Sequence, residues 1–174
     1  SDNNLLSPEE TLTIYLNTLK SMNTEQMGDY LGIESLLNTS DSDKNSIASA
    51  LVEQVHQNFD FKITSCEEQG YTATISTEIT TFDSSTILNT FSEEQDAYLS
   101  SADAVIDGSE KRYLKTLEML LNDIENNAAT ITSTADFHLT NDGVSWKLDD
   151  SNTTIGNAIF GTLSSSPVNE ETAE

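Results

Sequence analysis

The sequence predicts an α+β fold: a curved antiparallel sheet of about four strands packed against helices, with a two-helix insertion between strands 2 and 3. Three observations carry this. Apolar residues recur at helical spacing in some blocks and alternate strictly in others, and the two kinds come in runs. Asn141-Asp142-Gly143 sits between two alternating blocks and is a hairpin signal, because these residues tolerate positive φ. Strands that neighbour in sequence as hairpins, with helices before, between and after them, place the helices on one face of the sheet.

The elements follow in order. Ser7-Pro8-Glu9-Glu10 opens the first helix, with Ser7 as cap, Pro8 in the first turn and Glu10 three residues after the cap. Leu12, Tyr15, Leu16 and Leu19 supply its apolar stripe. Thr24-Glu25-Gln26-Met27 begins a second helix that ends at Gly32, with Met27, Tyr30 and Leu31 facing inward. A short helix is expected around Glu34–Leu37, and a third long one over 43–58 with Ile47, Ala48, Leu51, Val52 and Val55 as its stripe.

The period then changes. Phe59, Phe61 and Ile63 alternate with polar residues, Glu67-Glu68-Gln69-Gly70 reads as a turn, and Tyr71, Ala73, Ile75, Thr77, Ile79 and Thr81 line one face of a long strand. One apolar and one polar face suit an antiparallel sheet with a wet side. Residues 84–127 are helical again, broken at Gly108: Leu88, Phe91, Tyr98, Leu99, Ala102, Val105 and Ile106 precede the break, and Tyr113, Leu114, Leu117, Leu120, Leu121 and Ile124 follow it. Ala129 to Leu139 alternates, Val144 to Leu148 returns as its partner, and a last helix covers Ile155 to Leu163. The domain thus runs over 7–163, between a polar stub at 1–6 and an acidic tail at 164–174 expected to be disordered.

Charge excludes some partners. Thirty acidic residues face seven basic ones, for a net charge of -23. Nucleic-acid binding needs clustered Lys and Arg to displace counterions, so nucleic acid is excluded. An anionic membrane surface is repelled for the same reason. The 22 serines, 22 threonines and 15 asparagines give a Lys-poor, hydroxyl-rich composition typical of proteins outside the cell. Cys66 is the only cysteine, so no intrachain disulfide can form, and Glu67 and Glu68 beside it raise its pKa and make it a poor nucleophile. No apolar run approaches the ~20 residues that span a bilayer. The polar start Ser1-Asp2-Asn3-Asn4, without an initiator Met, reads as a chain whose export signal has been removed.

The two ends carry a family likeness. Ser7-Pro8-Glu9-Glu10-Thr11 with its helix to Lys20, then Met27 to Leu31, resembles the opening of Gram-positive bacterial lipoprotein domains of unknown function. Asp142-Gly143, then Trp146-Lys147-Leu148-Asp149 and an apolar helix closing on Gly161, is similar to the last strand and final helix of the same group. The resemblance covers about the first 31 and last 45 residues. It implies a cystatin-like cone, related to the nuclear transport factor two-like fold. It also implies an extracytoplasmic location through a lipid anchor lost upstream of Ser1, the chain's one contact with membrane. It implies no activity, and with no cofactor motif in the chain no cofactor is expected. The helical insertion over 84–127 departs from the minimal cone and would cover or fill its usual pocket.

Several residues are weighed as sites. Asp41, Asp43 and Asn45 match the start of a calcium loop, but Ser46 stands where Gly is needed and Val52 where Glu is needed, so a charged helix start explains them more simply. Asp136, Asp142, Asp149 and Asp150 could hold a cation, or end a strand and cap the last helix. His138 lies opposite Phe137 and Leu139 and, with Trp146, would line a pocket if that face were concave; otherwise it is a solvated strand histidine. His56 fits a helix C-terminus. Lys111, Arg112 and Lys115 form either a docking spot or a face neutralised by Glu110 and Glu118. The tyrosines fall mostly on core stripes and are read as packing before a carbohydrate platform. Signatures for a P-loop, Rossmann turn, nucleophile elbow, zincin or zinc ribbon are absent. Three functions remain, in order: a non-catalytic surface domain binding a protein or envelope component, a small-ligand binder in the concave face, and an enzyme using His138.

Overall fold

The computed structural model describes residues 5–33 and 42–160, and α1 (Pro8–Ser21) begins there at the predicted cap. The Glu10 N–H donates to the Ser7 hydroxyl at 3.1 Å, and the Ser7 N–H donates to the Glu10 carboxylate at 2.9 Å. These two bonds satisfy backbone donors that a helix start otherwise leaves unpaired. Asn23 and Gln26 repeat the arrangement at α2 (Thr24–Leu31), which stops at Gly32 with φ 64°. In α3 (Ser42–Asn58) all five predicted stripe residues are buried.

β1 (Asp60–Gln69) and β2 (Thr72–Phe82) form a hairpin, and β3 (Thr130–Asn141) and β4 (Trp146–Asp149) form another. All neighbours are antiparallel, in the order β1-β2-β3-β4. Between the hairpins run α4 (Ser84–Leu99) and α5 (Ala102–Glu125), and α6 (Ser151–Phe160) follows β4. Ala73, Ile75, Thr77, Ile79 and Thr81 of β2 point inward, as do Ala135, Phe137 and Leu139 of β3. α1, α3 and α6 lie against this face. The insertion packs α5 onto α3, and its Ile87, Phe91, Leu117, Leu120 and Ile124 join the same apolar core.

Some expectations are corrected. The first hairpin turns at Gly70-Tyr71, with Gly70 at φ 60°, so Cys66, Glu67 and Glu68 belong to β1. A register shift between Ile63 and Ser65 lets the strand continue there. Tyr71 stands at the turn, 69% exposed, instead of on the buried face. The insertion divides at Ser100-Ser101, where the Ser101 hydroxyl caps α5 by accepting from the Ala104 N–H. Gly108, at φ 78° and ψ 169°, then kinks α5, a conformation open essentially to glycine alone. Val105 and Ile106 lie in the short arm before that kink and are 80% exposed, so they are not core. The expected helix at Glu34–Leu37, the close of the last helix at Gly161–Leu163 and the tail at 164–174 lie outside the described residues.

Candidate functional site

Strand alternation places His138 and Trp146 on opposite sides of the sheet. His138 pairs with Asp149 across the β3–β4 ladder, and Trp146 pairs with Asn141, in phase with buried Leu139. Trp146 packs against the core, whereas His138 is exposed on the outer face with its Nδ1 3.2 Å from the Thr74 hydroxyl. The structure therefore does not bring these two predicted residues together.

The outer face is a field of short polar side chains. The Ser76 hydroxyl donates to Asp136 at 2.8 Å, Thr80 and Thr132 hydroxyls meet at 2.7 Å, and the Thr140 hydroxyl donates to Asp149 at 2.7 Å. Each pair bridges adjacent strands, so the hydroxyls support the sheet while staying accessible. The four aspartates weighed as a cation site, two in strands and two beside them, have separate partners. Asp136 and Asp149 accept from different hydroxyls, Asp142 accepts from the Val144 and Ser145 N–H groups, and Asp150 stands at φ 47° where α6 begins. Those backbone donors hold the Asp142 carboxyl below the usual range.

The calcium-loop candidates separate differently. α3 starts at Ser42, so the stretch that would wrap a cation is helical. Asn45 is exposed on a groove of about 620 Å³ shared with Glu53 and Glu125, and Asp41 and the Asp43 side chain lie outside the described residues. Among the described residues no group of three or more His, Cys, Asp or Glu is placed to hold a metal.

Two polar centres escaped the sequence reading. The first is Asp107, whose side chain is only 7% exposed. It accepts from Tyr98 at 2.5 Å and from Lys115 at 2.7 Å, with Lys111 at 3.5 Å, and these contacts hold it down to about 2. Arg112 donates to the Ala104 carbonyl at 2.6 Å. Lys111 and Lys115 thus hold the kink at Gly108 through Asp107, an acid the sequence reading did not pair with them. The second is Asp123, 8% exposed on the apolar side of α5, with Glu94 of α4 beside it. Burial first, and then Glu94, push it up to about 7. Its signal was present in the sequence: an aspartate three residues after Leu120 and one before Ile124 falls on the buried stripe.

Tyr15 and Tyr30 bond hydroxyl to hydroxyl at 2.7 Å between α1 and α2, and Tyr98 is bound to Asp107, so the aromatic residues make no common platform. Burial raises the Tyr15 pKa. Cys66 also has a raised pKa, through burial and then the charges of Glu9 and Glu68. Four grooves run between helices: α3 with α5, α4 with α5, α2 with α3, and α1 with α2. None of these opens between sheet and helices, and none is lined by His138 or Trp146. Ile75, Ile79 and Phe137, at the centre of the inner face, are completely covered.

The two edges of the sheet differ. β1 carries Lys62, the register shift, Glu67 and Glu68 along its free side. β4 pairs only with His138–Asn141, so the earlier part of β3 has β2 on one side and no described strand on the other. Thr130–Thr134 are exposed throughout, including the inward-phased Ile131 at 45%.

No family model matches the chain, and no curated protein matches it. Among solved structures it is similar to a crystal structure of a candidate lipoprotein, YcdA, from Bacillus subtilis, with a TM-score of 0.53 and 14% identity. The match covers 78% of this chain and 46% of that one, so this chain spans less than half the length of its structural neighbour. At that identity the likeness is one of fold. Among the described residues no helix is long and apolar enough to cross a membrane.

Proposed function

We propose that the chain is a non-catalytic, extracytoplasmic binding domain, lipid-anchored in the full-length protein, that docks a protein or another cell-envelope component on the outer face of its sheet. We read its architecture as a cystatin-like cone over 7–163. The carrying observation is the contrast between the two sheet faces. The inner one is filled by α1, α3 and α6, while the outer one presents exposed hydroxyls, Asp136, His138 and Asp149. The fold likeness to a candidate lipoprotein supports the location. A small ligand in the inner face has little support, since Ile75, Ile79 and Phe137 are fully covered there. His138 acting as an acid or base has little support too, because it stands exposed on an open face.

The test is a photo-cross-linking side chain at Thr134 on the outer face of the full-length protein, expressed in a Gram-positive host, against the same group at Glu25 of α2. A discrete envelope adduct from Thr134 alone is expected. Identical patterns from the two positions, or none from Thr134, would remove the reading. Metabolic labelling with palmitate checks the anchor, and an unlabelled protein would remove that part.

A further inference from the structure

Building on the reading of the chain as a binding domain, we propose that the free edge of β3, over Thr130–Phe137, takes an extended basic polypeptide segment as an added strand.

The backbone makes the edge. Along this stretch β2 satisfies one side of β3, and the N–H and C=O groups directed to the other side meet no described strand. Pairing with β2 is continuous from Thr130 to Thr140, so no bulge turns the edge away. Thr130–Ala135 contain no charge, proline or glycine, and are mostly threonine, isoleucine and alanine. Natural sheets blunt a free edge with such devices, and β1 has them in Lys62, its register shift and its two glutamates. Over Thr130–Ala135 the β3 edge has none, which is the condition of a stretch that pairs. An incoming strand would lay alternate side chains beside Thr132 and Thr134 on the outer face and Ile131 and Ser133 on the inner, all of them exposed.

Charge selects the occupant. A second copy would bring two chains of net charge -23 together along a short edge. A strand pair of this length buries well under the roughly 1,000 Å² of a stable interface, so it cannot offset that repulsion. A basic segment meets the opposite balance. Asp136 projects from β3 at one end of the open stretch, and Asp149 and Asp150 lie just past it. Basic residues at one end of a threonine- and valine-rich segment would fall near these acids while the rest fills the ladder.

The probe is a synthetic peptide of alternating threonine and valine with two lysines at each end, and the same peptide with glutamates replacing the lysines. Fluorescence anisotropy on the whole chain should give the lysine peptide at least about tenfold tighter binding than the glutamate one. Its affinity should fall as salt rises from about 0.05 M to about 0.3 M. Backbone amide shifts should concentrate in Thr130–Asp136. Ser133→Pro should abolish binding, since proline cannot serve the ladder. Because that variant can also fail to fold, Thr132→Lys and Thr132→Glu form a second pair on an exposed position: the first should weaken the lysine peptide and the second strengthen it. Equal binding of both peptides, or amide shifts elsewhere, would overturn the proposal. So would sedimentation at about 0.05 to 0.15 M salt, where charge still acts over roughly 8 Å or more, showing self-association lost in Ser133→Pro, which makes the occupant a second copy. Binding that appears only after removal of residues 161–174 would also overturn it, by making the chain's own segment the occupant. An envelope adduct from Thr134 with β3 amides unmoved by the peptide would leave the binding-domain reading intact and remove only the edge.

Discussion

Replacing Asp123 by asparagine should stabilise the protein at neutral and alkaline pH and do little in mild acid. Asp123 sits between Leu120 and Ile124 on the buried side of α5, and its Oδ2 has no hydrogen-bond partner among the described residues. Glu94 approaches the same carboxyl from α4, and a like charge beside a buried carboxyl opposes its ionisation. The carboxyl rises from its ordinary 3.8 to about 7. A rise of that size corresponds to a ceiling of about 4 kcal/mol. Relaxation and water reduce such figures in proteins, so about 2 to 4 kcal/mol is the expected range. The sign follows from proton counting. Between about pH 4 and pH 7 the folded state holds the proton and the unfolded state has released it, so stability falls as pH rises. The contribution is fully present below the unfolded pKa and gone above about 7.

Urea unfolding followed by the fluorescence of Trp146, the single tryptophan, measures this at pH 4 and pH 8. The asparagine variant should lie within about 1 kcal/mol of the parent at pH 4 and exceed it by about 2 to 4 kcal/mol at pH 8. Glu94→Gln should reproduce part of the gain, since it removes the like charge but leaves the burial. Parallel curves for parent and asparagine variant would refute the reasoning, because the carboxyl would then titrate alike in both states.

Two further outcomes follow from other buried polar groups. The Thr77 hydroxyl is fully buried with no hydrogen-bond partner among the described residues, so Thr77→Val should raise the urea midpoint by about 1 kcal/mol of stability, and a loss would reveal a partner for it. Asp107 holds the Gly108 kink through Tyr98, Lys111 and Lys115 and is lowered to about 2, so its contribution is complete above pH 4 and lost as pH falls toward 2. Amide exchange at Ala104–Ile106 should then accelerate in that window ahead of α3, and uniform acceleration would remove the pin.

The fold was legible because its signals are local. The Ser7–Glu10 box, the α3 stripe and the alternation from Ala73 to Thr81 each follow from spacing along one segment, and each appears where spacing puts it. Errors arose where a second segment decides. Val105 and Ile106 continue a helical stripe in sequence, but the kink at Gly108 turns their arm outward. Ile131 alternates correctly into the inner face, yet it stands on the outermost strand there and is 45% exposed, while its partner Thr81 on β2 is buried. The site residues were less legible for the same reason. Alternation sorts His138 and Trp146 to opposite faces once their pairing register is fixed, and the register rests on the turn at Asn141–Ser145. The Asp107 and Asp123 centres need the packing of α4 on α5, which no single stretch of sequence encodes.

The acid excess and the unguarded edge make one physical argument. A neutral, threonine-rich edge strand is a template for pairing with its own kind, and proteins usually prevent this with a charge placed in the edge itself. Here Thr130–Ala135 carry none, while the whole chain carries -23. Repulsion between copies acts at a distance of about a Debye length, roughly 8 Å at physiological salt, so it opposes self-pairing without occupying the edge. A guard of that kind is selective by sign. It keeps like chains apart and leaves the ladder open to a segment of opposite charge, which a lysine built into β3 would also have turned away. The guard should therefore fail in high salt: the chain should begin to self-associate through β3 under the conditions that release a basic peptide. Sedimentation of the parent and of Thr132→Lys across a salt series separates the two, since only the parent should associate, and a parent that stays monomeric at about 1 M salt, where screening leaves only about 3 Å of reach, would show that charge is not what keeps the edge free.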